Sequence, residues 1–163
     1  MTVAGPPPAR RDAALLAWGI ALPAAAGAAA VLGFAPFSAW PLPIAALAVL
    51  FLAWARSGSA LQAAISGFAF GLALNLAGVS WVFVSLHEFG HMPAVLAAIA
   101  TFLFCAYLAL FPAAAGWAVH RFAAGGTRKL LAAMPAAFVL LEWVRGWLFT
   151  GFPWLAIGYS QAP

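Results

Sequence analysis

Long apolar runs separated by short polar or proline-containing breaks make up almost the whole chain. Residues 1–12 are polar, and they carry three consecutive prolines before Arg10 and Arg11. Such a segment cannot bury enough apolar surface to order itself, so a disordered lead-in is predicted there. The later runs are apolar all round, without the alternation of a barrel strand, and each is of the length of a helix. The pattern predicts helices at about 13–33, 41–55, 59–79, 93–119 and 130–149, and an outer re-entrant or amphipathic segment at 150–163.

Proline and glycine fix the breaks between these runs. Pro36 and Pro41 interrupt an uncharged stretch that is too long for one span, and they predict a tight aromatic-rich turn at 33–40. Aromatic and polar residues at 80–93 are typical of a membrane–water interface and predict a loop there. The start of the chain also resembles a signal peptide, but its apolar stretch continues to Ala55 without a charge, which favours an uncleaved helix.

Composition identifies the solvent of these helices. Of the 163 residues, 67% are hydrophobic and only 6% are charged, whereas a soluble domain is usually about a quarter charged. The predicted fold class is therefore all-α, a polytopic transmembrane bundle of about five helices in a lipid bilayer. The net charge of +4 does not indicate a nucleic-acid partner, because the basic residues flank apolar runs as topology markers.

The distribution of basic residues predicts the orientation of the bundle. In a five-helix arrangement six of the seven Lys and Arg residues fall on one side: Arg10, Arg11, Arg56, Arg121, Arg128 and Lys129. By the positive-inside rule this side and the N-terminal lead-in are cytoplasmic. The aromatic-rich segments 34–40, 81–92 and 152–161 then share the outer face.

One short motif matches the zinc-protease signature H-E-x-x-H, namely His87-Glu88-Phe89-Gly90-His91. Zinc chemistry needs both histidines on one helical face and a third ligand. A glycine inside the motif and Pro93 after it disfavour a helix, and Asp12 is predicted on the opposite side, which leaves Glu142 as a plausible third ligand. An interfacial loop is favoured, and an intramembrane zinc metalloprotease remains an alternative.

Glu142 and Arg145 form the other polar feature. They are three residues apart in an apolar run and can share a helix face. Ionisable residues inside a membrane usually face the bundle interior or a wet cavity. Two interpretations stand equal: a mutually neutralising pair that fixes helix packing, or an anchor in which Arg145 binds the phosphate of a lipid headgroup.

Three segments together resemble the membrane domain of bacterial apolipoprotein N-acyltransferases. They are the stretch EWVRGWLFTGFPWLAIGYSQ at 142–161, the turn LGFAPF at 32–37, and 78–93 with its Trp-Val-x-Val-Ser-x-His core. His91 is not part of that family pattern, which further disfavours the zinc interpretation. The resemblance extends over nearly the whole chain.

The resemblance implies a multi-pass enzyme of the bacterial inner membrane that completes lipoprotein maturation. Its partners would be a membrane phospholipid as acyl donor and a diacylated apolipoprotein as acceptor, with the bilayer around it and no cofactor. In the family, a glutamate, a lysine and a cysteine of a nitrilase-like domain carry the reaction through a thioester. Cys105 and Lys129 do not lie in such a context, so no catalytic residue and no metal ligand is expected in this chain.

The chain is accordingly expected to be an N-terminal fragment that is inactive alone. A non-catalytic membrane scaffold is an alternative beside the zinc metalloprotease. The aromatic loops would face the periplasm and form one wall of a substrate or lipid cavity. The candidate residues of that cavity are Trp81, His87, Glu142, Arg145, Phe152, Trp154 and Tyr159.

Overall fold

The structure, a computed structural model, describes residues 17–123 and 125–161. This part of the chain consists of helices joined by turns. No strand occurs in that part. The helices are α1 (Ala17–Gly33), α2 (Pro41–Arg56), α3 (Ala60–Gly78), α4 (81–89), α5 (Ala94–Phe122) and α6 (129–145). The prediction of an all-α membrane helical bundle is confirmed, with one short helix more than expected. The predicted lead-in at 1–12 lies outside the described residues.

Two helices are long and apolar enough to cross a membrane. They are α3, with 19 residues, and α5, with 29 residues. Helix α2 has 16 residues, which at about 1.5 Å rise per residue falls short of a hydrocarbon core of about 30 Å. The long helices α3 and α5 also share the most extensive interface of the bundle.

Small residues let α3 approach its two neighbours closely. A Cβ atom at Gly67 would overlap the Pro112 carbonyl of α5, and one at Gly27 of α1 would overlap the Phe70 carbonyl of α3. Lipid tails are as apolar as the helices, so association inside a membrane depends on such close packing. The glycine positions therefore fix the order α1–α3–α5 in the centre of the bundle.

Aromatic side chains close the core between α2, α3 and α6. Phe138 of α6 meets Phe51 of α2 and Phe70 of α3 edge to face, with ring centroids 6.2 and 6.4 Å apart. Trp54 of α2 is 1% exposed within the same core. These contacts position α6, the helix that carries Glu142 and Arg145.

The segment 80–93 forms a helix where a loop was expected. Residues 81–89 are helical, with a π-helical turn at Ser85–Phe89. Neither glycine nor proline occurs there before Gly90, so the backbone is free to form a helix at a membrane surface. The helix ends where Gly90 is followed by His91 in the left-handed region, with a φ of 50°.

Helix α6 ends at Arg145, four residues earlier than the predicted boundary at 149. Beyond it the chain reverses direction through Phe149, with a φ of 50°, and Gly151, with a φ of 78°. The Phe152 amide then donates a hydrogen bond to the Arg145 carbonyl oxygen at 3.0 Å. The residues that follow are thereby folded back against the end of the bundle instead of continuing the helix.

Candidate functional site

Three aromatic-rich segments meet at one end of the bundle, which we call the aromatic end (residues 33–40, 81–92 and 152–161). The Gln161 side-chain amide donates to the Trp40 carbonyl oxygen at 3.1 Å. The rings of Trp81 and Trp154 pack edge to face with centroids 5.6 Å apart. The last of these segments, 152–161, thus contacts both of the others.

Apolar side chains of segment 152–161 seat it on the bundle. Leu155 and Ile157 are 8% and 7% exposed and belong to the hydrophobic core. Leu155 packs on Gly78 at the end of α3, where a Cβ atom would collide with its methyl groups. The backbone around Leu155 and Ile157 is irregular, so its amides need hydrogen-bond partners outside regular secondary structure.

Glu142 supplies one of those partners. Its Oε1 atom accepts a hydrogen bond from the Ile157 amide at 3.0 Å and lies 3.7 Å from the Nη2 atom of Arg145. The side chains of Glu142 and Arg145 are only 17% and 6% exposed. One carboxylate therefore ties segment 152–161, which we call the returning segment, to α6 and balances the charge of a buried guanidinium.

An open groove lies between α6 and the returning segment. Its volume is about 530 Å³, within the range of roughly 300–1,000 Å³ usual for small-ligand pockets. Trp143 and Trp147 form an edge-to-face pair in its wall with ring centroids 5.6 Å apart, and Tyr159 is 61% exposed. The residues that line the groove are Val139, Glu142, Trp143, Gly146, Trp147, Pro153, Ala156, Gly158 and Tyr159.

A second, small cavity of about 20 Å³ lies between α3, α5 and α6. Asn75, Glu142 and Arg145 contribute its polar lining. Asn75 is 2% exposed, and its Nδ2 atom donates to the Gly71 carbonyl oxygen at 2.7 Å, while no described residue pairs with its Oδ1 atom. Glu142 lines both cavities and so forms the partition between a buried polar space and an open aromatic groove.

Comparison with known proteins identifies the family. Residues 26–163 match the family model for the apolipoprotein N-acyltransferase N-terminal domain. This chain belongs to the apolipoprotein N-acyltransferase family. The resemblance that the sequence motifs indicated is thereby confirmed.

Individual relatives agree with the family match. The chain is similar to the apolipoprotein N-acyltransferase of Nitrosomonas europaea, with 54% identity over 141 residues, which are 85% of this chain and 28% of that protein. It is 51% identical to that of Methylococcus capsulatus over 78% of this chain and 25% of the relative. For that of Vibrio cholerae the values are 40%, 80% and 26%. The chain spans about a quarter of the length of these relatives.

Within this apolipoprotein N-acyltransferase domain, five of the seven predicted cavity residues separate into three places. Glu142 and Tyr159 line the groove, whereas Arg145 lies behind it and faces the small cavity. Trp81 and Trp154 form their own pair, 44% and 53% exposed, outside the groove lining.

The remaining two predicted residues also lie outside the groove lining. Phe152 packs edge to face on Phe104 of α5, with centroids 4.9 Å apart. His87 donates from Nδ1 to the Met92 carbonyl oxygen at 2.9 Å, and so caps the end of α4. Both side chains shape the aromatic end without lining the groove.

Sequence reasoning missed the aromatic wall of the groove and the buried amide. Val139 and Trp143 stand at i and i+4 on α6, a spacing that places them on one side of the helix, and Trp147 follows at i+8 in the turn after it. That periodicity was a usable signal for the groove. The role of Asn75 had no such signal, because its significance depends on the cavity that three helices enclose.

The zinc-protease motif does not form a metal site in the described part of the chain. His91 lies beyond the end of α4, so it does not share a helical face with His87. No group of three His, Cys, Asp or Glu side chains with metal-binding geometry occurs among the described residues. The motif lacks the geometry that zinc chemistry requires.

Proposed function

We propose that this chain forms the lipid-facing membrane part of an acyltransferase that completes bacterial lipoprotein maturation. The acyl chain of a membrane phospholipid would be transferred to the N-terminal cysteine amine of a diacylated apolipoprotein. An amide bond forms, the donor's ester bond breaks, and a lysophospholipid leaves with the proton that the amine gives up. The family match supports the reaction class, since the relatives carry the name apolipoprotein N-acyltransferase.

The observation that carries the proposal for this chain is the groove beside α6. It is open, holds about 530 Å³, and is lined by large exposed aromatic side chains and by Glu142. Exposed aromatic walls fit a flexible acyl chain through apolar contact, and they are enriched where membrane meets water. We therefore assign the groove to the acyl donor. No residue of this chain is assigned a catalytic role.

Charge supports an orientation for the domain in the inner membrane. The aromatic end would face the periplasm, and the opposite end, which carries Arg56, Arg121, Arg128 and Lys129, would face the cytoplasm. The groove then opens at the outer surface, where an acceptor lipoprotein can approach it.

A photocrosslinking experiment tests the groove. The chain is reconstituted in vesicles that contain a phospholipid with a diazirine on its acyl chain, and labelled peptides are mapped after irradiation. Labelling is expected on peptides that contain Trp143 and Trp147 and is expected to fall severalfold in the Trp143→Ala, Trp147→Ala double variant. Phe102→Ala is the matched control, because this aromatic side chain is likewise exposed, at 49%, but lies on α5 outside the groove lining. Equal labelling of both variants would refute the assignment.

Enzyme activity is tested in the full-length Nitrosomonas europaea relative with this chain in place of its matching 141 residues, either unaltered or with the same substitutions. Transfer to a diacylated lipopeptide is expected to slow in the groove variant and not in the control variant. Loss of crosslinking without loss of transfer would place a lipid in the groove that is not the donor. Crosslinking in the groove without any transfer, in the unaltered protein and in both variants, would indicate a membrane scaffold instead.

A further inference from the structure

The end of the bundle opposite the groove is basic. Arg56 ends α2, Arg121 lies in the last turn of α5, and Arg128 and Lys129 stand where α6 begins. We call these four residues the basic end. The described acidic residues, Glu88 and Glu142, both lie at the aromatic end, so the basic end carries four cations and no acidic side chain among the described residues.

Contacts between helices hold two of these arginines in place. The Nε2 atom of His120 donates to the Ser57 carbonyl oxygen at 3.1 Å, which links the last turn of α5 to the residue after Arg56. This hydrogen bond joins residues 63 positions apart in the chain. Arg56 and Arg121 are the sequence neighbours of its two ends, so the fold brings them to the same surface.

Each of these arginines stacks on an aromatic ring, and neither pairs with a carboxylate of the described residues. The Cζ atom of Arg56 lies 4.4 Å from the ring centroid of Trp18, and that of Arg121 lies 5.6 Å from the ring centroid of Phe122. The described salt bridges involve neither arginine. Stacking uses the face of a guanidinium and leaves its N–H groups at the edge, the groups that bind phosphate oxygens in pairs.

We propose that the basic end binds the headgroups of anionic phospholipids. Phosphate is the ligand class that fits clustered guanidinium edges, and no carboxylate of the described residues pairs with them. A lipid source is favoured because the same end exposes large apolar rings, with Trp18 42%, Trp117 46% and Phe122 74% exposed. Aromatic and basic side chains at one level are typical of a membrane–water interface. The proposal goes beyond acyl transfer and does not depend on it.

A simpler account is available for the same residues. Arg56 and Arg121 stand in the last turns of their helices, where a cation offsets the negative end of the helix dipole. That account predicts stability without any preference among lipids. Lipid selectivity therefore distinguishes the two.

Native mass spectrometry of the full chain released from mild detergent measures that selectivity. Phosphatidylglycerol is compared with phosphatidylcholine of identical acyl chains, at matched concentrations. The proposal predicts preferential retention of phosphatidylglycerol, weakened by added salt because charge attraction is screened. At roughly fivefold per arginine, the Arg56→Gln, Arg121→Gln double variant should lose about 25-fold in apparent affinity. Equal retention of the two lipids by the unaltered chain would overturn the proposal without any variant.

Glu88→Gln is the matched control, since it removes a charge at the aromatic end and should leave phosphatidylglycerol retention unchanged. If the double variant fails to fold, the single Arg121→Gln variant, which alters an exposed side chain, is expected to lose roughly fivefold. Inorganic phosphate at millimolar concentration should not displace the lipid. Displacement by phosphate would show a free-anion site and contradict the lipid surface.

Discussion

Removing the Glu142 carboxylate should release the returning segment from the bundle. Its Oε1 atom accepts the Ile157 amide at 3.0 Å and stands 3.7 Å from Arg145 Nη2. In the Glu142→Ala variant the amide loses its partner, and a guanidinium with a side chain only 6% exposed loses its counter-charge. Both losses act on the same few atoms, so their costs overlap and do not simply add.

The magnitude follows from the burial of the two groups. A hydrogen bond to a charged group contributes about 1.5–3 kcal/mol, and breaking a buried ion pair costs about 3–5 kcal/mol in all. Glu142→Ala is therefore expected to destabilise the chain by about 3–5 kcal/mol. Glu142→Gln keeps an oxygen that can accept the Ile157 amide, so its expected cost is smaller, about 1–3 kcal/mol.

Hydrogen exchange in detergent measures the local effect, and thermal unfolding measures the global one. The Ile157 amide should lose its protection in Glu142→Ala and keep most of it in Glu142→Gln. Arg145→Met alone leaves a buried carboxylate without its cation, whereas the Glu142→Gln, Arg145→Met double variant leaves neither charge. The double variant should therefore be less destabilised than the sum of the single variants, by about 1–3 kcal/mol. Unchanged protection of Ile157 in Glu142→Ala, or strict additivity, would refute the reasoning.

Two further predictions concern the close helix packing and the histidine motif. Gly67→Ala should destabilise the bundle by about 1–3 kcal/mol, because its Cβ would overlap the Pro112 carbonyl, and a lowered thermal midpoint would show this. Gly19→Ala, with no atom within 4 Å of the added Cβ, is the matched control and should not lower that midpoint. His91→Ala should change stability by less than about 0.5 kcal/mol, and metal analysis of the purified protein should find no equimolar zinc; a bound zinc lost in this variant would contradict the structural account of the motif.

The sequence predicts the all-α fold class and the number of helices to within one. Apolar runs and the breaks at Pro36, Pro41 and the glycine-containing loops are local signals, and each acts on the backbone where it stands. The convergence of segments at the aromatic end also follows from local information, since an antiparallel series of helices alternates its connections between two ends. Helix α4 was missed because interfacial composition was interpreted as a loop, although composition does not oppose a helix.

The groove could not be predicted in the same way. It exists because the chain reverses at 146–151 and returns Pro153 through Tyr159 to the side of α6. The left-handed conformation of Phe149, with a φ of 50°, has no sequence signature, since only glycine adopts that region without strain. The partner of Glu142 is a backbone amide 15 residues away, and any residue type could supply it. Side-chain patterns carry no information about such a contact.

Glu142 and Arg145 occupy different places in the structure, which bears on the two interpretations of this pair that the sequence left equal. Arg145 is 5% exposed and lines the small inner cavity, whereas the groove lining does not include it. That position favours the packing interpretation for Arg145. Glu142 differs from Arg145, because its carboxylate fixes the segment that forms one wall of the groove and is itself part of the groove lining. Substitution of Arg145 would then alter lipid binding only through the shape of that wall, whereas substitution of Trp143 would remove part of the binding surface directly.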